Sequence, residues 1–158
     1  MSEFEGKIGR TREESTPHWS ARITAPKGAP NIVIIYMDDM GWSDPGCYGS
    51  EIETPHLDGL AARGLQFIHY TTHPICSPAR AAFLTGRNSH AVGTGWLANN
   101  NAGYPGYSGE IPLDQATLAE TLRAAGYETI MTGKWHNTPT PDTVASGSKH
   151  NWPSQRGF

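Results

Sequence analysis

The sequence contains the run Ile32-Val33-Ile34-Ile35-Tyr36-Met37, which stops abruptly at Asp38-Asp39. A continuous apolar and mainly β-branched run of this length is typical of a strand that is buried on both faces of a parallel sheet. Two further strands are predicted, at residues 65–70 and 127–132. These runs therefore predict a sheet that is covered by helices on both sides.

Three helices are predicted between the strands, each from its capping residues. The first two begin at Thr54-Pro55 and Ser77-Pro78, and each ends near a glycine, Gly64 or Gly86. The third begins at the capping box Thr117-Leu118-Ala119-Glu120. The resulting order is strand, helix, strand, helix, helix, strand, and it predicts an α/β fold with mostly parallel strands.

The composition limits the class of protein. The chain has 158 residues and a mass of 17.1 kDa, which is the size of one ordinary domain. Its 12 basic and 15 acidic residues give a net charge of −3, which excludes the basic surface of nucleic-acid-binding proteins. No apolar run reaches the roughly 18 residues of a membrane helix. Neither nucleic acid nor a membrane is therefore an expected partner.

The beginning of the chain is polar. Residues 1–10 lack the apolar core of a secretory signal, so we expect a cytoplasmic location, with the periplasm as the alternative. Residues 1–30 are expected to form an irregular N-terminal arm, and residues 31–158 the domain itself. The two cysteines, Cys47 and Cys76, are too few for a disulfide framework, so one of them is a candidate for chemistry.

Reactive and ligand-binding side chains follow the predicted strands. Asp38-Asp39, Cys76, and Lys134 with His136 fall at the carboxyl ends of strands or in the loops that follow. Ligands bind at this edge of open α/β sheets, so we expect these groups to converge. Arg80 lies one helical turn after Cys76, where a guanidinium can clamp an oxyanion.

Each of these groups has two interpretations. The adjacent carboxylates Asp38 and Asp39 favour a hard cation such as Ca²⁺ or Mg²⁺, or they belong to a solvated turn. Cys76 precedes a helix, where unpaired N–H groups favour anions, or it is an inert buried cysteine. Because sulfur is a poor ligand for a hard cation, the residues alone do not decide whether these groups form one site.

Two motifs carry a family resemblance. The stretch Cys76-Ser77-Pro78-Ala79-Arg80, continuing through residue 87, resembles the first signature of the type I sulfatases. Residues 126–136, which end in Gly133-Lys134-Trp135-His136, resemble their second signature. Residues 30–42 are similar to the opening strand and metal-binding loop of that family, and Thr54 to Asp58 to the helix start that follows. The resemblance covers roughly residues 30–136.

The resemblance implies an alkaline-phosphatase-like sandwich with a mostly parallel central sheet, of which residues 31–158 are the N-terminal part. It implies that a formylglycine-generating enzyme oxidises Cys76 to formylglycine, whose hydrate presents oxygen in place of sulfur. Asp38, Asp39 and the modified Cys76 are then expected to bind Ca²⁺, with Mg²⁺ and Mn²⁺ as alternatives. The substrate expected for this family is a small-molecule sulfate ester.

The resemblance also implies a mechanism. One hydroxyl of the formylglycine hydrate attacks sulfur and the alcohol leaves, after which the second hydroxyl loses its proton and sulfate is expelled. Arg80 is expected to support the formylglycine, Lys134 to bind a sulfate oxygen, and His136 to accept or hold a hydroxyl proton. This combination is nucleophilic catalysis with electrostatic binding of an oxyanion.

The sequence lacks residues that the family pattern places after these motifs. The family also has a downstream Asp-Asn pair, a second histidine and a further lysine. Asn137 and Asp142 lack the expected context, and His150 is a candidate by position only. We therefore expect a truncated part of an arylsulfatase-type catalytic domain. The alternatives are a phosphonate or phosphate ester hydrolase on the same scaffold and a catalytically silent truncated domain.

Overall fold

The computed structural model describes residues 4–19, 21 and 23–158. Its α-helices are α1 (Pro55–Ala61), α2 (Cys76–Thr85) and α3 (Leu118–Ala124). Short 3₁₀ turns lie at Gly46–Tyr48, Ser89–Val92, Thr140–Asp142 and Pro153–Gln155. Residues 1–3, 20 and 22 of the predicted N-terminal arm lie outside the described residues. Within the described ranges, no helix combines the length and the apolar character needed to cross a membrane.

The positions of the three helices agree with the predictions from their capping residues. Helix α2 ends at Gly86, which adopts a φ of +66° and so provides the left-handed cap that glycine tolerates. Helix α3 begins with the complete capping box. Thr117 accepts a hydrogen bond from the Glu120 N–H, and the Glu120 carboxylate accepts one from the Thr117 N–H. The local signals therefore placed all three helices, although only α3 has the predicted side-chain cap at its start.

Helix α1 begins as predicted, but the side chain of Thr54 does not cap it. The Thr54 hydroxyl donates to Asp58 and accepts from the Gly46 N–H. Asp58 also accepts a hydrogen bond from the Cys47 N–H. These contacts fasten α1 to the preceding 3₁₀ turn.

The apolar core lies between α2 and the loops that follow it. Its buried members come from α2, the next 3₁₀ turn and the loop before α3: Ala81, Leu84, Val92 and Ile111. Partly buried aromatic rings cover this cluster: Phe83, Trp135 and Phe158. The C-terminal residues thereby pack against the helix that begins at Cys76.

A polar clamp holds the C-terminal segment against the N-terminus of α3. Arg156 is fully buried and donates hydrogen bonds to the carbonyls of Ile111 and Gln115, at 2.8 and 2.6 Å. It also donates to the Asn151 amide oxygen at 2.8 Å and to the Glu120 carboxylate at 3.2 Å. The guanidinium therefore has acceptors on several sides, which a buried charge requires.

Burial alone would raise the pKa of Glu120, but its hydrogen bonds from the Thr117 amide and Arg156 hold that pKa below its usual range. The Thr117 hydroxyl donates to the Arg156 carbonyl at 2.8 Å, so the clamp also joins the cap of α3. The same carboxylate thus serves both the helix start and the buried arginine.

The predicted sheet is not formed within the described residues. The segments 32–37, 65–70 and 127–132 do not form strands, and the only β-bridge in the described part of the chain is an isolated one between Lys7 and Thr16. Ladder hydrogen bonds need a neighbouring strand at about 4.8 Å, and no backbone hydrogen bond joins these segments. Their apolar side chains are accordingly exposed, for example Val33 at 83% and Ile130 at 85%.

Candidate active site

The ends of three segments meet at the N-terminus of α2. The segment 31–38 brings Asp38, α2 brings Cys76 and Arg80, and the segment 127–136 brings Lys134 and His136. Residues that are far apart in the sequence are therefore neighbours, as the expected convergence at strand ends requires.

Cys76 is the first residue of α2 and carries a free, half-buried thiol. Its Sγ lies 3.1 Å from Nδ1 of His136. At this position the unpaired N–H groups of the first helical turn and the helix dipole favour negative charge on a nearby group. The pair therefore consists of a nucleophilic atom and a proton acceptor within hydrogen-bonding distance.

His136 has an unusual backbone and an altered basicity. Its φ is +53°, a left-handed conformation that few residues other than glycine adopt. Burial lowers the pKa of His136, and the neighbouring cations Lys134 and Arg80 lower it further. The ring is therefore neutral at pH 7 and has one nitrogen free to accept a proton.

Arg80 is 9% exposed and links the three segments. Its Nη1 donates a hydrogen bond of 2.7 Å to the Lys134 carbonyl, and its Nη2 lies 3.5 Å from Oδ2 of Asp38. Its Nε has no partner among the described residues although it is buried. An unpaired buried donor costs free energy, and no acceptor among the described residues offsets that cost.

Lys134 and Asp38 form the closest ion pair of the site, with Nζ 2.7 Å from Oδ2. The hydrogen bond from Lys134 lowers the pKa of Asp38, and the same bond raises the pKa of Lys134. Both groups are therefore charged over the whole neutral range. Asp39 is exposed, has a φ of +54° and forms no hydrogen bond with the described residues, so the structure does not join it to this cluster.

Tyr36 belongs to this site although its sequence position predicted only a strand residue. Its ring centre lies 5.0 Å from Cζ of Arg80 and 5.1 Å from the ring centre of Phe83. Burial raises the pKa of Tyr36, with Asp38 and Cys76 adding to the effect against the opposing charge of Arg80. The available signal was spacing, because residues two apart in an extended segment point to the same side, which places Tyr36 beside Asp38.

A second cluster of polar residues shares no residue with this site. Potential metal-ligating atoms of Glu110, Asp142 and His150 lie within 4.8 Å of one another. Nε2 of His150 is 3.1 Å from the Glu110 carboxylate, which also accepts a hydrogen bond from Asn151. Asp142 and His150 were considered as candidates from the sequence, whereas Glu110 was not. The structure does not bring these residues to Cys76 by any hydrogen bond or ion pair of the described residues.

Comparison with known proteins identifies the family. A sequence model described as Sulfatase matches residues 30–158. The arylsulfatase of Klebsiella aerogenes is 37% identical over 136 residues, which are 85% of this chain and 28% of the relative. Human arylsulfatase A is 46% identical over 114 residues, and human steryl-sulfatase is 41% identical over 123 residues. These matches cover 68% and 75% of this chain and 21% of each human protein.

The chain spans only about a quarter of the length of these curated relatives, between 21% and 28%. The match nevertheless includes the whole cluster around Cys76, because residues 30–158 contain every one of its members. The family has an alkaline-phosphatase-like α/β fold. The extent of the match and the level of identity show that the chain belongs to the sulfatase family.

Proposed function

We propose that the protein of which these residues form the catalytic part hydrolyses sulfate esters, with Cys76 providing the nucleophile after its conversion to formylglycine. One observation carries this proposal. Cys76, at the N-terminus of α2, lies 3.1 Å from a neutral His136 and is surrounded by the cations Arg80 and Lys134. A nucleophile, a proton acceptor and two positive charges are what transfer of a charged sulfuryl group needs.

The two cations are suited to bind the sulfate group. Lys134 is half-exposed and can reach an entering oxyanion, and the guanidinium of Arg80 adds a second positive charge beside Asp38. Arg80 is held rigidly by its bond to the Lys134 carbonyl and by the ring of Tyr36. A donor that is already oriented costs little reorganisation when negative charge develops on the sulfate oxygens.

The residues present fit the implied groups in part. Asp38 places a carboxylate against Arg80 of α2, and formylglycine would put an oxygen in place of the sulfur of Cys76. Asp38 and Asp39 would hold the divalent cation with that oxygen, and Ca²⁺ would favour such ligands over the thiol. These are three of the six to eight ligands that Ca²⁺ takes. When bound, the cation and the formylglycine hydrate would supply an activated hydroxyl nucleophile.

The chain's own residues have defined tasks in this proposal. His136 Nδ1 takes the proton of the group at position 76, which its lowered pKa allows at neutral pH. Lys134 neutralises Asp38 in the free protein and can turn to a sulfate oxygen when a cation occupies the carboxylate. Arg80 keeps the ends of the two segments together.

Four further expectations belong to the proposal. The segments 32–37, 65–70 and 127–132 would be strands of a mostly parallel central sheet in an alkaline-phosphatase-like sandwich. A formylglycine-generating enzyme would be the partner that modifies Cys76. The cytoplasmic location and the division between an arm at residues 1–30 and the domain at 31–158 stay predictions.

The test combines mass analysis with a matched pair of variants. In protein from native cells, the tryptic peptide of residues 64–80 should contain formylglycine at position 76. Hydrolysis of 4-nitrophenyl sulfate should fall by about 10⁴-fold or more in Cys76→Ala, since the nucleophile is lost. Cys47→Ala is the control, because only backbone groups of Cys47 form hydrogen bonds.

Three results would contradict this function. Near-normal sulfatase activity in Cys76→Ala would exclude the role of Cys76. A clear preference for aryl phosphonate or phosphate esters over aryl sulfates would replace the substrate class. An unmodified thiol without turnover of any of these esters would identify a catalytically silent domain.

A further inference from the structure

Three side chains with metal-ligating atoms, those of Glu110, Asp142 and His150, form a carboxylate–histidine cluster apart from the site at Cys76. One such atom of each residue lies within 4.8 Å of those of the other two. Nε2 of His150 and Oε2 of Glu110 are only 3.1 Å apart. Atoms that bind one tetrahedral ion at about 2.1 Å are separated from each other by roughly 3.4 Å. The cluster therefore needs only small side-chain movements to surround an ion.

Both carboxylates of the cluster have an oxygen free for a ligand. Oε2 of Glu110 accepts hydrogen bonds from His150 and Asn151, and Oδ1 of Asp142 accepts one from the Ser148 N–H at 3.0 Å. Oε1 of Glu110 and Oδ2 of Asp142 accept no hydrogen bond from the part of the chain that the structure describes. Each carboxylate can therefore bind a cation without losing the hydrogen bonds that hold it.

The negative charge of the cluster has no lysine or arginine to neutralise it. Within the described residues, neither Glu110 nor Asp142 forms an ion pair with such a side chain. Lys149 is close in sequence, but its ammonium lies 4.3 Å from the ring centre of Trp152 and donates to the Val144 carbonyl. Two carboxylates at this separation repel each other. A divalent cation would turn that repulsion into attraction.

Contacts outside the cluster hold its ligands in place. Nδ1 of His150 is hydrogen-bonded to the Ser148 hydroxyl, which leaves Nε2 for an ion. Histidine ligands of metals almost always have their other ring nitrogen fixed in this way. The Asp142 carbonyl accepts a hydrogen bond of 2.8 Å from Nε1 of Trp152, and a Cβ at Gly147 would lie 2.7 Å from Cα of Asp142. The segment therefore closes tightly on Asp142 and orients two ligands in advance.

The ligand types select the metal. Ca²⁺ and Mg²⁺ prefer oxygen ligands alone, whereas an imidazole with carboxylates suits Zn²⁺. We propose that Glu110, Asp142 and His150 bind one Zn²⁺, with water at the fourth tetrahedral position. The ion fastens the segment 140–152 to Glu110, which directly precedes the core residue Ile111.

Asn151 connects this zinc site to the packed core. Its amide donates to the Glu110 carboxylate at 2.7 Å, and its side-chain oxygen accepts a hydrogen bond of 2.8 Å from the buried Arg156. Zinc therefore stabilises the segment 140–152 and the clamp around Arg156 together. The ion has a structural role that is separate from sulfate ester hydrolysis at Cys76.

Titration of the present chain with zinc chloride tests the site by calorimetry and thermal unfolding. We expect one Zn²⁺ per chain and an unfolding temperature that rises with zinc concentration, because an ion that binds only the folded chain stabilises it. His150→Gln should weaken binding by about 100-fold or more, since a ligand is lost. His56→Gln is the matched control, because His56 is exposed, and it should bind zinc as the original chain does.

A second variant separates the loss of a ligand from a loss of folding. Asp142→Asn keeps an oxygen for the hydrogen bond from the Ser148 N–H but removes the charge. It should weaken zinc binding by about tenfold or more. Urea unfolding in the presence of EDTA shows whether each variant is folded, and Asp142→Asn decides the question if His150→Gln is not.

Cys76 and His136 form the other pair that attracts zinc, and Co²⁺ as a probe distinguishes the two sites. With one equivalent of Co²⁺ we expect the d–d bands of a four-coordinate ion without the charge-transfer band that a thiolate ligand adds. A charge-transfer band that disappears in Cys76→Ala would overturn the proposal. So would equal zinc binding by His150→Gln and His56→Gln, or no saturable binding. None of these results measures sulfate ester hydrolysis, so this inference can fail while the proposed function stands.

Discussion

Two regions of this chain differ in how far they bury their apolar side chains. The packed region consists of α2, α3, the residues between these helices and the residues around Arg156. Its core residues Ala81, Val92 and Ile111 are fully buried. The unpaired region consists of the segments 32–37, 65–70 and 127–132, and it leaves even Leu65 88% exposed. The unpaired region is the richer of the two in apolar residues, so hydrophobicity alone does not produce burial.

The difference lies in where each region obtains its hydrogen bonds. A helix satisfies its backbone within four residues, and Thr117 and Glu120 complete the start of α3 locally. A strand depends on a partner that is distant in sequence. The packed region therefore forms from contacts within this chain, whereas the segments of the unpaired region have no backbone partner among the described residues.

The largest loss of stability is expected when the buried charge of the packed region, Arg156, is removed. Arg156→Met should lower the free energy of unfolding by about 3 kcal/mol or more, because the Glu120 carboxylate loses its buried partner. Two carbonyls, of Ile111 and Gln115, also lose a donor. Urea unfolding followed by circular dichroism measures the change.

The control for this variant is Arg123→Met, which removes the same charge from the exposed surface of α3. Its effect should stay within about 0.5 kcal/mol. Equal losses in the two variants would mean that net charge, rather than the buried clamp, stabilises this region.

A second pair of variants compares the two regions directly. Leu84→Ala removes a side chain that is 8% exposed in the core and should cost about 2 to 3 kcal/mol. Ile35→Ala removes a similar side chain that is 64% exposed and should cost less than about 0.5 kcal/mol. Thermal unfolding of both variants gives the answer, and a comparable cost at Ile35 would show that the unpaired region is buried in solution.

The smallest expected effect is a pH dependence of the clamp. Since the folded-state pKa of Glu120 is lowered, its contribution is complete above the ordinary pKa of about 4.3 and is lost as pH falls through the folded value. Glu120→Gln keeps the capping box but removes the charge. We expect it to be less stable at pH 7 by about 1 kcal/mol, given partial solvent screening.

The same variant should match the original chain once the pH is well below 4.3. Unfolding free energies measured from pH 3 to 7 on both chains test the sign. If the difference in unfolding free energy between the two chains grows as the pH falls, another group provides the stabilisation.

The helices could be predicted from the sequence because their signals are local. Gly86 and the box from Thr117 to Glu120 specify the end of α2 and the start of α3 without reference to the rest of the molecule. The strand at Ile32–Met37 was predicted from the same kind of local pattern, but its formation depends on partners. The parallel sheet therefore stays a prediction within an α/β family.

The sequence was enough to predict which residues form the candidate site, but not which contacts they make. Cys76, Arg80, Lys134 and His136 were named from their spacing and family resemblance, and the structure brings them together with Asp38. Their roles stay predictions. The contact between Tyr36 and Arg80 could not be predicted, because the sequence does not show which of several arginines reaches the Tyr36 ring.

The left-handed backbone at Asp39 and His136 sets the stability of the chain against the proposed chemistry of the site. These are the non-glycine residues with positive φ among the described residues, and each such conformation costs about 1 to 3 kcal/mol. Glycine at either position would relieve that cost and make the chain more heat-resistant. A more heat-resistant chain obtained in this way would lack a proposed metal ligand or a proposed proton acceptor, so stability and the proposed chemistry make opposite demands on these two positions.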